Sequence, residues 1–261
     1  RQFLHPSGFL QYEEGASFHK LLRDPENEKL IGDCNQITTL YIYLYSLKFP
    51  VQDLKLKIPE GHVCLHFRDA DLETTSGEWM LHKEFKRITN IEEIIPINLL
   101  DISDFAEKKF DLSSLTKLKS AELAYAMSKE RKLVEHNLRV AYHNCSIDSL
   151  KKQNYSSALR YAKASENQRL IKKIIYDQAV YWVEKGSFGK ARKNFRRIQS
   201  EKGLLYTDQQ ELNYYLQKIE HCKTVDDYKT KKSELKQIQK LAQKLKRKKL
   251  IDFCREVLRK T

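Results

Sequence analysis

Three residues that together can make an activated thiol occur in order within one short stretch: Cys34, His62 and Glu73. A cysteine attacks carbonyl carbon as its thiolate, an imidazole can take the thiol proton, and a carboxylate can hold that imidazole in one orientation. Cys34 follows Gly32-Asp33, and after it Ile37, Leu40, Tyr41, Leu44 and Leu47 recur at the spacing of one helix face, with Pro50 as the stop. A thiol on the first turn of a helix lies beside unpaired backbone N–H groups and the positive end of the helix dipole, which favour the thiolate. The neighbouring Asp33 carboxylate works in the opposite sense.

The elements that would position the other two residues follow directly. Lys55-Leu56-Lys57-Ile58 reads as a strand, Pro59-Glu60-Gly61 as a turn, His62 to Phe67 as a second strand and Asp71 to Thr75 as its hairpin partner. With Arg68-Asp69 at the loop centre, position 64 faces position 73 and Glu73 lies diagonal to His62. With Asp69-Ala70 at the centre, Glu73 faces His66 instead. Both registers keep His62 and Glu73 on one face of the sheet.

Gly32-Asp33-Cys34, Thr39-Leu40, Leu44, Pro50-Val51, Gly61-His62-Val63 and Leu72-Glu73-Thr74-Thr75 together resemble the core of transglutaminase-like proteins, part of the papain-like cysteine hydrolase superfamily. The resemblance implies a helix packed on an antiparallel sheet, and it maps that family's Cys-His-Asp triad onto Cys34, His62 and Glu73. Glu in place of Asp lengthens the third side chain by one bond. The resemblance also implies an oxyanion donor upstream of the cysteine, for which Gln11 and Asn27 are available without any spacing to choose them.

The same residues admit a metal reading. His62, Cys64 and His66 share one strand face and, with Glu73, are groups that zinc accepts. Ligands at every second residue of a flat strand do not converge on a tetrahedral ion, so no metal is expected, and no cofactor motif is present.

Composition frames the rest. The chain has 261 residues, 41 % of them hydrophobic, with 14 Tyr and 11 Phe, enough for a substantial core in one large domain or two ordinary ones. No run approaches the roughly 18 apolar residues of a membrane-spanning helix, so no membrane partner is expected. Five cysteines without a C-x-x-C pair favour a reducing compartment and a cytoplasmic location. Arg1 is not an initiator Met, which leaves an upstream segment open. The net charge of +13 is unevenly spread: residues 1–118 hold 14 Lys and Arg against 19 Asp and Glu (−5), and residues 119–261 hold 34 against 16 (+18).

Residues 78–112 read as the last strands or a short helix closing a first domain, and a break at Asp111 to Ser114 sets its end. Beyond residue 115 there is no Pro and the pattern is helical throughout. Asn154-Tyr155-Ser156-Ser157-Ala158-Leu159 recurs 33 residues later as Ser187-Phe188-Gly189-Lys190-Ala191-Arg192, each after an amphipathic helix, about 133–151 and 170–185. An aromatic, two variable residues and a small Ala resemble a tetratricopeptide unit, in which Ala lets two helices approach and the aromatic fills the turn. Such units need neighbours; Asp208 to Cys222, Asp226 to Leu245 and Leu250 to Leu258 supply further helices.

The expected fold class is therefore α+β: a transglutaminase-like domain over 1–112, followed by an all-α, tetratricopeptide-like array over 113–261. The expected function is thiol acyl transfer or amide hydrolysis by Cys34, His62 and Glu73, with the helical array binding a protein or peptide partner of acidic character. Two alternatives stand beside it: a noncatalytic interaction scaffold, and a basic helical module binding nucleic acid through phosphates, with Tyr214, Tyr215 and Tyr228 available for stacking.

Overall fold

The computed structural model describes residues 8–16, 18–100 and 112–261. The chain divides into two compact units, residues 1–145 and 146–261, a division that comes later than the change of composition near residue 112. Among the described residues every strand precedes Ile91 and the long helices follow Ser113, the α+β organisation expected. No helix among them is long and apolar enough to cross a membrane.

In the first unit, β1 (Leu10–Tyr12) and β2 (Leu30–Gly32) form a parallel pair. β2 runs into Asp33, whose carboxylate accepts from the N–H groups of Asn35 and Gln36, both at 3.1 Å, and so caps α1 (Cys34–Ser46). Five more strands follow: β3 (Leu54–Ile58), β4 (Cys64–Phe67), β5 (Ala70–Glu73), β6 (Glu78–Met80) and β7 (Arg87–Asn90). They build one antiparallel sheet in the order β6-β5-β4-β3-β7. The strand expected from His62 begins at Cys64, which leaves His62 in the turn that leads into it.

Strand periodicity separates the two faces of this sheet. Leu56, Leu65 and Leu72 lie side by side across β3, β4 and β5 and form an apolar row, which joins Ile37 and Tyr41 of α1 in one buried core. On the opposite face Lys57 pairs with Cys64 and, two positions along β4, His66 pairs with Asp71, giving a polar face. Lys57, Cys64 and Glu73 on it are buried as well, and Asp71 is wholly inaccessible. The segment Leu81 to Lys86 covers it: His82 N–H donates to Asp71 Oδ2 at 2.7 Å, and the Phe85 ring lies 4.4 Å from Lys57 Nζ.

After β7 come α2 (Ile94–Leu100), α3 (Ser114–Met127) and α4 (Arg131–Lys151). Ser113 caps α3 by accepting from Thr116 N–H; Asp111, the other end of the expected break, lies outside the described residues. The buried Glu93 carboxylate accepts from Ser128 Oγ at 2.6 Å and Lys129 N–H at 2.8 Å, which ties the junction of α3 and α4 to the end of the sheet.

The second unit is a run of helix hairpins: the end of α4, then α5 (Tyr155–Ala164), α6 (Gln168–Glu184), α7 (Phe188–Arg197), α8 (Glu201–Ile219), the short α9 (Val225–Thr230), α10 (Lys232–Lys244) and α11 (Lys248–Lys260). The helix expected over 226–245 is broken at Lys231. Ala158 and Ala191, the two small residues of the repeated hexapeptide, are completely buried.

One turn recurs through this unit. Gln153, Glu166, Gly186, Gln199 and Lys246 each take a left-handed φ of 54° to 66°. The next residue donates its N–H to the carbonyl five positions back, as in Asn154 to Ser149 (2.9 Å), Ser187 to Trp182 (2.8 Å) and Ser200 to Phe195 (2.9 Å). This closure ends one helix, and the donating residue opens the next; Asn154, Asn167 and Ser200 also cap it with their side chains. Asn154 and Ser187 are 33 residues apart, as are Asn167 and Ser200, so the period extends to both turns of the unit.

Gly203 on the first turn of α8 lets that helix close on the fully buried Phe195 of α7, since a Cβ there would run into the Phe195 ring. Gly203→Ala should therefore destabilise the protein by about 1–3 kcal/mol through overpacking. Gly189→Ala, where a Cβ meets nothing, should be neutral or stabilising by up to about 1 kcal/mol. Urea unfolding of both variants checks the pair.

Candidate active site

Cys34 is the first residue of α1 and is partly exposed. Its Sγ lies 3.8 Å from Asn35 Oδ1. The turn before β4 carries His62, whose Nε2 is 2.8 Å from Glu73 Oε2 and 3.0 Å from Oε1. With Nε2 committed to Glu73, Nδ1 is the nitrogen left for the Cys34 thiol. The hydrogen bond to Cys34 is the largest cause of a His62 pKa raised to about 10; the bond to Glu73 adds to it and burial opposes it. Sequence order and structure thus bring Cys34, His62 and Glu73 to one place.

The hairpin pairs Leu65 with Leu72 and His66 with Asp71, the register centred on Arg68-Asp69. Arg68 has φ 56°, as that tight turn requires. Continuing the pairing by one position sets Cys64 opposite Glu73.

Glu73 is the most heavily bonded group of the site. Burial would push its carboxyl pKa up, but hydrogen bonds from His62 and Thr75 outweigh this and hold it at about 2. Thr75 donates both its hydroxyl (2.6 Å) and its N–H (3.1 Å) to Oε1. His82 Nε2 lies 3.2 Å from Oε2, so one carboxylate serves two histidines.

Asp71 is similarly enclosed. Burial works to raise its pKa, yet Lys57 Nζ at 2.7 Å, His66 Nδ1 at 2.7 Å and His82 N–H keep it lowered. Burial pushes the Cys64 thiol up to about 12. Cys64 and His66, which the metal reading placed beside His62, are therefore separately engaged: Cys64 Sγ faces the Lys57 carbonyl at 3.7 Å and His66 binds Asp71.

Tyr12 borders the site through its pairing with Gly32, two residues before the cysteine. Burial and then the neighbouring Cys34 sulfur raise its pKa, so its phenol keeps its proton. Of the two upstream polar residues considered from sequence, Gln11 alternates with Tyr12 to the other side of β1, and Asn27 is bonded to Asp24. Tyr12, Thr75 and His82 were not found from sequence. The pairing of Glu73 with Glu78 returns the chain toward Glu73, a turn that the sequence pattern did not reveal.

Cys34 and His62 open on a cleft of about 300 Å³, walled by Ile58, Val63, Ile97, Leu133 and Val134 with Asn35, Lys86 and Asn137 as polar groups. Such a cleft can hold an apolar side chain beside a carbonyl presented to the thiol. No family model, curated protein or solved structure matches the chain.

The electrostatics of Glu73 carry a definite sign. Its folded pKa is depressed below the ordinary value of about 4.3, so the carboxylate's contribution to stability is fully present above about pH 5 and is lost as pH falls toward 2. Glu73→Gln should flatten this acid limb of unfolding, and it should also move the His62 titration, followed by NMR, from about 10 toward the ordinary 6.5.

Proposed function

We propose that this protein carries a transglutaminase-like thiol site that forms an acyl-enzyme from an amide, joined to a helical repeat module that binds a protein partner. The observation that supports the reading most is the His62 ring held at 2.8 Å by Glu73 and opening on the same cleft as Cys34, whose sulfur stands at the start of a helix. His62 accepts the thiol proton and holds it until the leaving group needs it. Glu73 fixes the ring orientation and balances the imidazolium charge. The sulfur then attacks the amide carbonyl, the C–N bond breaks as His62 returns the proton to the leaving nitrogen, and an acyl-thioester forms. Water or an amine takes the acyl group in the second half. Both outcomes use the same three residues, so hydrolysis and transfer differ only in the acceptor.

The repeat module supports the second half of the reading. A groove of about 520 Å³ in the 146–261 unit is lined by Phe188, Tyr206 and Tyr214 together with the amides of Gln210, Asn213 and Gln217. Amide side chains suit the hydrogen-bonding groups of an extended peptide backbone, and the aromatic rings suit its side chains. The surplus of Lys and Arg beyond residue 119 favours an acidic peptide through long-range attraction.

Iodoacetamide tests the thiol. Among the five cysteines Cys34 and Cys222 are partly exposed and the other three are buried, so label distribution is informative. At neutral pH Cys34 should alkylate selectively and about tenfold or more faster than an unactivated thiol, and His62→Ala should reduce it to the unactivated rate. Labelling of Cys34 no faster than that of the unfolded chain would leave the noncatalytic scaffold as the reading.

Salt dependence tests the partner. An acidic peptide should bind the full chain with a modest salt effect, whereas a random oligonucleotide should not bind. Oligonucleotide binding that falls steeply and linearly in log salt would transfer the reading to nucleic acid.

A further inference from the structure

We propose that Cys64, Glu73 and His82 form a binding site for a divalent cation of the zinc class, and that its occupation weakens the hold of Glu73 on His62. One ligand atom from each of the three lies within 4.8 Å of the other two. The set combines a thiol, a carboxylate and an imidazole, which suits zinc or cobalt and not calcium or magnesium, whose sites are built from oxygen.

The convergence differs from the arrangement weighed from sequence. Neighbours along one strand do not meet at an ion, but these three come from separate places: Cys64 from β4, Glu73 from β5, and His82 from the segment that covers the polar face of the sheet. Strand pairing brings the first two opposite each other. The third is positioned by its own backbone, whose N–H is held at 2.7 Å by Asp71, and its Nε2 already reaches Glu73 Oε2 at 3.2 Å. Donors around a tetrahedral ion with bonds of about 2.0–2.3 Å stand roughly 3.5 Å apart, so side-chain rotation of about 1 Å closes the set. Three protein ligands leave the fourth position to water.

The charges balance. Binding forms a bond between the metal and Cys64 sulfur and releases the thiol proton to solvent, while His82 binds through the Nε2 lone pair with its ring proton on Nδ1. One thiolate, one carboxylate and a neutral imidazole then offset the two positive charges of the ion, which suits a buried site. Oε2, the oxygen beside His82, also accepts from His62 at 2.8 Å, and Oε1 lies 3.0 Å from the same ring nitrogen, so a cation on Oε2 leaves His62 only the Oε1 contact, which Thr75 already shares. The binding site stands by itself; only its effect on Cys34 rests on the proposed thiol chemistry.

Cobalt(II) added to the metal-free full chain tests both parts. One equivalent should bind with a thiolate-to-cobalt charge-transfer band that persists in Cys34→Ala and is lost in Cys64→Ser. Because Cys64 is buried, His82→Ala is the second variant, and it should weaken binding by about 100-fold or more, beyond the loss of an outer-shell partner. Absence of a thiolate band in the unaltered chain would overturn the site, and so would a band lost in Cys34→Ala yet kept in Cys64→Ser. Bound cobalt should also slow Cys34 alkylation in the unaltered chain; an unchanged rate with the band present would overturn the coupling to His62. Cys34 alkylation at the unactivated rate without cobalt would instead remove the thiol reading and leave the metal site to be judged by its band.

Discussion

Two carboxylates buried on one face of a five-stranded sheet constrain the whole first unit. Asp71 and Glu73 both remain ionised, and a buried charge persists only where cations and hydrogen-bond donors surround it. Lys57, His66 and the His82 backbone serve Asp71, while His62, His82 and Thr75 serve Glu73. Removing any one donor leaves charge in a low-dielectric setting, so the set is held together more tightly than its individual bonds. The covering segment from Leu81 to Lys86 follows from this need, because it brings the His82 N–H, the His82 ring and the Phe85 face to groups the sheet alone leaves short of partners.

That division of the sheet explains which parts of the site were legible in the sequence. Alternation along Cys64 to Phe67 and along Asp71 to Glu73 specifies that Cys64, His66, Asp71 and Glu73 share a face, while His62 sits in the turn before that strand. The hairpin with Arg68-Asp69 at its centre is one of the two registers that alternation allows. The apolar spacing after Cys34 specifies α1. His82 was hidden because it belongs to no periodic element: its place is fixed by its own N–H on Asp71, a contact between residues eleven apart that leaves no mark on side-chain pattern. Tyr12 was hidden for a related reason. A three-residue strand is too short for periodicity, and its position follows from parallel pairing with Gly32 across a segment broken by turns.

In the helical unit the legible part was likewise the periodic part. The burial of Ala158 and Ala191 follows from the close approach of paired helices, which the repeated hexapeptide foreshadowed. The turns were less visible, because four of the five left-handed positions are Gln, Glu or Lys and only Gly186 announces itself. A left-handed L residue costs roughly 1–2 kcal/mol. The cost is offset at each turn by two helix ends satisfied at once: the backbone closure ends one helix, and the following residue opens the next.

The shared use of Glu73 connects these observations. A carboxylate that held only His62 would need a single donor pair and would leave its second oxygen to water. Here Oε1 is occupied by Thr75 and His62 and Oε2 by both histidines, so the imidazole that faces Cys34 is oriented by a group whose position is set by β5, by the turn at Thr75 and by the segment bearing His82. The His62 and His82 rings are therefore linked through one carboxylate oxygen. Glu, one bond longer than Asp, reaches both rings from one strand position.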